Sequence, residues 1–286
     1  MAQRANGDLP VAEIRPFRAS DLKEVRMLLG MSVMEQLASA NKQAYFRPVV
    51  IGTWIALSAM FVQYMNWYPR TDVGILGYLA PLPAFASCAV PIMFGLDWLH
   101  RTYFEKQLKT LLTQEDTVDI PSFYTRSRGS GFFVLSYKNT PIGCVAIDAA
   151  TPDSEITVVD LEPKSEPDKK AVKDSPKKAK RKQPQLDAAH AVIRHFHVDS
   201  PYRQTGVEND LIAHAISHAF SSPKVQTVYA PTSSLIPSAN AVWRSAGFQR
   251  SGRKTKSAET LARHVLSGVQ LGWMEITRTG WQQKQK

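Results

Sequence analysis

The sequence predicts an α/β (α+β) chain: a mixed sheet flanked by helices and interrupted by a two-helix transmembrane hairpin. Three observations carry that expectation. Two runs without a charged side chain, Pro48–Pro69 and Val73–Leu96, are separated only by Arg70-Thr71-Asp72. Short β-rich runs and helical periodicity alternate in the rest of the chain. One of the strands, Ala191–Val198, leads through the turn V-D-S-P-Y-R-Q-T-G-V-E-N-D (Val198–Asp210) into a helix.

In chain order, Ala12–Pro16 reads as a short strand. Ser20 stands where it can cap a helix whose apolar residues Leu22, Val25, Leu28 and Leu29 recur at helical spacing. That helix is expected to continue through Met34 and Leu37. Each uncharged run then has about the length a helix needs to cross a hydrocarbon core of roughly 30 Å. Tyr64, Trp67 and Tyr68 gather at one end as interfacial aromatics do, whereas Trp54 is internal. Pro81, Pro83 and Pro91 should kink the second run. The competing reading is a pair of buried core helices in a soluble protein. Lys42, Arg47, Arg101, Lys106 and Lys109 flank the pair and outnumber Arg70 in its loop, which puts both termini in the cytosol. After the hairpin, Trp98, Tyr103, Phe104, Leu108, Leu111 and Leu112 suggest an interfacial amphipathic helix.

Phe132–Tyr137 and Ile142–Ile147 read as strands joined by the hairpin signal Lys138-Asn139-Thr140-Pro141. Ala191–Val198 is a further strand, and Val207, Leu211, Ile212, Ala215, Ile216 and Ala219 mark the helix after it. Val225–Ala230 is a strand, Ser238–Ser245 a short helix and Val269–Ile276 a late strand. An antiparallel first half followed by a strand-helix-strand unit sets the fold class. The expected organisation is residues 1–44 as the first strand and helix, 45–98 as the hairpin, and 99–280 as the remainder of the domain. A Lys/Pro-rich insertion occupies 155–187.

The 286 residues carry a formal net charge of +10, much of it in that insertion, which includes Lys177-Lys178-Ala179-Lys180-Arg181-Lys182. With few large apolar residues the insertion cannot offset its ordering entropy and is expected to be disordered. It reads either as a solvated linker or as a segment drawn to anionic lipid, at about 1 kcal/mol per basic residue near the surface. It lacks interleaved aromatics for base stacking, so no nucleic-acid partner is expected. Cys88 and Cys144 lie in apolar runs and build neither a disulfide framework nor a zinc site. Residues 1–40 lack the sustained apolar run of a cleavable signal peptide.

The turn Val198–Asp210 is the best functional handle. A strand, a tight Arg/Gln/Gly turn and a helix start converge backbone N–H groups and the positive end of a helix dipole, which suits an anion. Gly206 permits close backbone approach. His195 and His197 alternate with Phe196 and so share one strand face, where a neutral imidazole would suit a base. The other reading of a strand histidine is structural. His214 and His218 have an i, i+4 spacing that can bind metal, but without a third ligand they read as an exposed helix face, and no metal is expected. His190 reads as a strand-start residue.

Three passages carry a family resemblance. They are Ile14-Arg15-Pro16-Phe17-Arg18 with Asp21, Arg128–Val134, and Phe196–Leu211 followed by Ser238–Phe248 with its closing Gly247-Phe248. In these the chain resembles the GCN5-related N-acetyltransferase (GNAT) superfamily, and more closely its camello-like membrane-bound members. The resemblance implies acetyl-CoA as cosubstrate. Its pyrophosphate would lie at Arg203, Gln204, Thr205, Gly206, Val207, Glu208 and Asn209, and its pantetheine arm along His197 and Val198. Asn240 and Trp243 would complete the coenzyme site, and His195 or His197 would act as base.

Two positions depart from the family pattern. Glu208 stands where Gly or Ala is usual. Two like charges about 4 Å apart repel by roughly 1 kcal/mol in water and about 4 kcal/mol at an effective dielectric of 20, so a carboxylate here opposes a phosphate. Trp243 stands where many members place a Tyr that protonates the leaving thiolate, which an indole cannot do. Tyr229 is the nearest alternative phenol. Two classes of function follow. One is an N-acetyltransferase of the endoplasmic reticulum membrane with its GNAT-like domain in the cytosol, acting on a small amine, a cysteine conjugate or a protein lysine. The other is a catalytically degenerate GNAT-like accessory or chaperone of the same membrane, for which a protein partner is expected.

Overall fold

The computed structural model describes residues 12–68, 74, 77–150, 189–203, 205–252 and 269–285. The strands are β1 (Glu13–Pro16), β2 (Gly131–Tyr137), β3 (Thr140–Asp148), β4 (His190–Val198), β5 (Thr227–Ser233), β6 (Gln249–Arg250) and β7 (Leu271–Thr277). The helices are α1 (Leu22–Tyr45), α2 (Pro48–Met65), α3 (Leu82–Thr113), α4 (Glu115–Val118), α5 (Ile120–Tyr124), α6 (Val207–Ser221), α7 (Pro237–Ala246) and α8 (Arg278–Lys284). The strands form one sheet in the order β1-β2-β3-β4-β5-β7-β6. The fold class expected from the sequence is therefore found: a mixed α/β sheet flanked by helices. The interhelical loop Arg70-Thr71-Asp72 and the Lys/Pro insertion lie outside the described residues.

Alternation along the strands divides the core into two layers. Phe133, Leu135, Val145, Ile147 and Ile193 pack with Leu211, Ile212 and Ile216 of α6 and with Val242 and Trp243 of α7. Phe132, Val134, Cys144 and Ala146 meet Val25, Leu28 and Leu29 of α1 and Tyr124 of α5 on the other side. β2 and β3 are joined by Lys138 and Asn139, both left-handed (φ 50° and 62°), as a two-residue hairpin turn twisted like its strands requires.

The start of α1 differs from expectation. The chain enters it through a 3₁₀ turn, Ala19–Asp21, and the Asp21 carboxylate accepts the Arg18 N–H at 3.0 Å. Arg15 also forks onto that carboxylate at 2.6 and 2.9 Å. A charged acceptor binds an amide more strongly than a hydroxyl does, so Asp21 fixes the helix start and Ser20 merely donates to it at 3.4 Å.

The residues expected to form a separate interfacial helix are instead the second half of α3, which runs on with Pro91 inside it. Pro81 and Pro83 stand at its first turn, where a proline displaces no intrahelical bond. α3 acts as a spine. Asn41 Nδ2 donates to Asp97 Oδ1 at 2.7 Å, Gly30 faces Leu108, and Arg26 Nη2 reaches the Leu112 carbonyl at 3.3 Å, so α1 lies antiparallel along its second half. α2 lies along its first half, where Trp54 Nε1 donates to the Phe85 carbonyl at 2.9 Å and the two rings meet edge to face. That contact gives the internal indole its polar partner. Two helices, Pro48–Met65 and Gly77–Thr113, are long and apolar enough to cross a membrane. Val49, Met60, Val90 and Phe94 on them are 65–78% exposed.

Candidate functional site

β4 and β5 are parallel, and they pair only where His190–Val192 meets Thr227–Tyr229. β4 continues to Val198 and β5 to Ser233, so the two strands part and open a wedge. A bulge lies at the point of parting. Ala146 of β3 faces His195 whereas Ile147 faces Ile193, leaving Arg194 as the extra residue.

His195 sits just past that bulge, 9% exposed, with its Nε2 2.9 Å from Asp116 Oδ2. Arg194 Nε donates to the same oxygen at 3.0 Å, and its Nη1 lies 3.5 Å from Asp148 Oδ2. Asp148 also accepts from Ser130 Oγ at 3.0 Å and from Arg126 at 3.3 Å. Both aspartates are 1% exposed. Burial opposes the charge on Asp116, but hydrogen bonds and charge from His195 and Arg194 outweigh it and hold the carboxyl below its usual range.

His197 is buried 4.0 Å from Glu35 of α1. Burial, and then the positive Arg203, hold its imidazole down at about 4, so it is neutral at pH 7. Arg203 turns back toward its own strand: Nε donates to the Val198 carbonyl at 2.7 Å, and Nη1 and Nη2 fork onto Glu35 at 2.5 and 2.7 Å. The Val198 side chain is in the core.

Gly206 precedes α6 with φ 92°, the left-handed region that favours glycine. A Cβ added there would have nothing within 4 Å, so the approach to the helix start is open. Asn209 and Asp210 N–H donate to the Gly206 carbonyl at 2.9 and 3.3 Å, the first intrahelical bonds, and a helix start leaves the amides before them without intrahelical acceptors. Thr205 is exposed, and its hydroxyl donates to the Tyr202 carbonyl. Val207 packs on the core edge. Glu208 is half-buried and its charge reaches Arg203. Asn209 Oδ1 accepts from Ser245 Oγ of α7 at 2.5 Å. Gln204 lies outside the described residues.

Side chains from both layers hold the wedge. On the α7 side Trp243, 1% exposed, donates from Nε1 to the Pro231 carbonyl at 3.2 Å and packs on Phe196 with ring centroids 4.9 Å apart. Asn240 Nδ2 donates to the Ser233 carbonyl at 2.7 Å. From α1, Gln43 Nε2 donates to the Ser234 carbonyl at 2.8 Å. α1 therefore grips the chain on both arms, through Glu35 after β4 and Gln43 after β5.

Tyr229 occupies the last position at which β5 pairs with β4, its ring among Val192, Trp273 and His190. His190 opens β4, as expected. His214 and His218 lie edge-on to the Phe133 ring at 4.6 and 5.0 Å, and His218 Nε2 contacts the Ser130 carbonyl at 3.0 Å. Among the described residues no group of three His, Cys, Asp or Glu could hold a metal ion.

The fold thus brings His195, His197, Tyr229 and Trp243 to the wedge, and Arg203 and Thr205–Asn209 to the turn at its mouth. Asp116, Asp148 and Glu35 were not foreseen. They meet their partners from 79, 22 and 168 positions away, and no local motif marks such pairs. The only signal for Glu35 is a carboxylate between Val33 and Leu37 on an amphipathic helix.

No protein-family model and no curated protein matches the sequence. Among solved structures, the aminoglycoside acetyltransferase AAC(6')-Ib in complex with coenzyme A is 13% identical. The match covers 96% of this chain and 100% of that one at a TM-score of 0.41. The ribosomal-protein-alanine N-acetyltransferase of Brucella melitensis is 13% identical, over 93% and 99% of the two chains, at 0.37. A Bacillus anthracis protein assigned as a streptothricin acetyltransferase, in complex with acetyl coenzyme A, is 16% identical at 0.35. This chain spans 63% of its length, using 52% of its own. All three scores lie below 0.5, so the likeness assigns nothing to this chain.

Proposed function

We propose that this chain is a membrane-anchored N-acetyltransferase of the GNAT type that transfers acetyl from acetyl-CoA to an amine. One observation carries the reading: β4 and β5 part after three paired positions beside a bulge, and β4 leads into a helix start behind a left-handed Gly206. A pyrophosphate would meet the amides at the helix start behind Gly206, ahead of Asn209, the pantetheine arm would pair along the wedge, and the thioester would lie near its apex. Acetyl-CoA, the ligand of the Bacillus anthracis protein, is the donor proposed. His195, or His197 in its neutral form, would take the proton of the attacking amine, and backbone N–H groups would polarise the thioester carbonyl. The acceptor would be a small amine, a cysteine conjugate or a protein lysine.

The exposed apolar surfaces of α2 and the first half of α3 favour a membrane hairpin over core helices, since only 6% and 11% of their apolar windows are buried. The flanking basic residues favour a cytosolic domain, and the resemblance to camello-like members suggests the endoplasmic reticulum membrane. The Lys-rich insertion would lie against anionic lipid.

A specific set of contacts favours a second reading. The Arg203 guanidinium is bound by Glu35, Glu208 adds negative charge beside it, and the Trp243 indole holds the β5 arm. These suit a degenerate GNAT-like domain acting as a membrane accessory or chaperone with a protein partner. Calorimetric titration of acetyl-CoA into the detergent-purified protein separates the two. Binding that is lost in Gly206→Glu, followed by turnover on a panel of amines, supports the enzyme. No heat with the native protein or with Glu208→Ala supports the accessory.

A further inference from the structure

We propose that Asp116 is a positioning residue that holds His195 in the tautomer protonated at Nε2, leaving Nδ1 as the proton acceptor of the ring. Its catalytic meaning rests on the acetyltransferase reading, whereas the ring state itself does not. Asp116 Oδ2 collects Arg194 Nε at 3.0 Å, His195 Nε2 at 2.9 Å and the Tyr124 hydroxyl at 3.5 Å. An ionised carboxylate only accepts hydrogen bonds, so the imidazole nitrogen facing it carries the hydrogen. A neutral imidazole then keeps its one lone pair on Nδ1.

The surroundings fix this arrangement from several elements. Arg194, the bulge residue itself, reaches both Asp116 and Asp148, so the carboxylate cannot shift without disturbing the bulge that places His195. Phe123 of α5 lies beneath the Arg126 and Arg194 guanidinium groups at 3.5 and 5.2 Å, and Tyr124 closes the carboxylate from the same helix. Arg194 and Arg126 both reach the aspartate pair from their own elements. Among the described residues the neighbouring His197 has no such clamp, its nearest ion-pair partner, Glu35, being 4.0 Å away.

The step is balanced as follows. The amine nitrogen attacks the thioester carbonyl and a C–N bond forms. The C–S bond breaks and the coenzyme leaves as thiolate with the electron pair. The amine proton passes to His195 Nδ1.

The test is nitrogen-15 NMR of histidine-labelled, full-length protein in detergent micelles, with the His195 signal assigned by its loss in His195→Gln. The expected spectrum shows hydrogen on Nε2 and a bare Nδ1 in the native protein and in Asp116→Asn, whose amide oxygen can take the place of Oδ2. Asp116→Ala is expected to show a mixture of tautomers. Its kcat should fall by about 100-fold or more with the acetyl-CoA KM unchanged, and the double variant with His195→Gln should be no slower than the slower of the two single ones. Hydrogen on Nδ1 in the native protein, or an unaltered His195 spectrum in folded Asp116→Ala, overturns the proposal. Native protein that shows the Nε2 tautomer but acetylates no amine overturns the acetyltransferase reading and upholds the positioning of the ring.

Discussion

Glu35 and Arg203 are joined by a bidentate ion pair of 2.5 and 2.7 Å across 168 positions of sequence. Glu35 lies on α1, which leads into α2 after only Phe46 and Arg47, so the turn at the mouth of the wedge is fastened to the helix that precedes the apolar pair. A phosphate approaching the turn finds the guanidinium fork already filled by a carboxylate. Glu35→Gln removes one negative charge and loosens the fork. Acetyl-CoA is therefore expected to bind several-fold more tightly, in line with roughly 1 kcal/mol for a charge about 4 Å away in water. Because the pair is partly exposed, the stability loss should stay within about 1 kcal/mol. Calorimetry checks the first expectation and denaturant melts the second. Unchanged or weaker binding would show that Arg203 serves the loop alone.

His197 gives stability a defined pH dependence. Its folded value is about 4, against an ordinary value of 6.5, because burial and the Arg203 charge disfavour the imidazolium. Between those values the unfolded chain binds a proton that the folded one refuses. The contribution is whole above about pH 6.5 and is lost as pH falls toward 4, up to roughly 3 kcal/mol. His197→Gln should flatten that slope in denaturant melts between pH 4 and 7.5. An equal slope in both proteins would place the acid sensitivity elsewhere.

At Gly206 the expected cost comes from backbone alone. With φ at 92° and nothing within 4 Å of an added Cβ, Gly206→Ala meets no neighbour but must adopt the left-handed region, which costs roughly 1–2 kcal/mol. A thermal melt measures it. A neutral result would mean that the turn relaxes, and the relaxed turn should then bind acetyl-CoA less well.

What the sequence made legible was periodic. The alternation in Phe132–Tyr137 and Ile142–Ile147 and the helical spacing from Val207 to Ala219 depend on neighbours within a few residues. The bulge at Arg194 and the clamp of Asp116 on His195 depend on strand register and on a short helix that follows the α3 spine. No periodicity encodes either. The continuity of α3 was hidden because the change from apolar to amphipathic composition reads as a boundary, whereas packing along α2 and then α1 supports one helix. Trp243 was legible as a departure from a family pattern, but its bond to Pro231 was not, since that depends on how far β5 swings from β4.

Trp243 offers the sharpest test of whether the wedge is a reaction centre. Its indole is fully buried, donates to the Pro231 carbonyl at 3.2 Å and stacks near Phe196 and Phe248. Trp243→Tyr removes volume from the core and can leave that carbonyl without its donor, so stability should drop by about 1–3 kcal/mol. The same change puts a phenol where the resemblance expects the proton donor for the departing thiolate, and general acid catalysis is worth about 10²–10⁴-fold. Folded Trp243→Tyr is therefore expected to turn over at least 10-fold faster with little change in acetyl-CoA affinity. The gain should disappear in Trp243→Phe, which makes a similar cavity without the hydroxyl. Steady-state rates on the best amine found for the native protein decide it. If Tyr and Phe variants turn over equally, no thiolate leaves beside residue 243, and the wedge holds its β5 arm for packing rather than for chemistry.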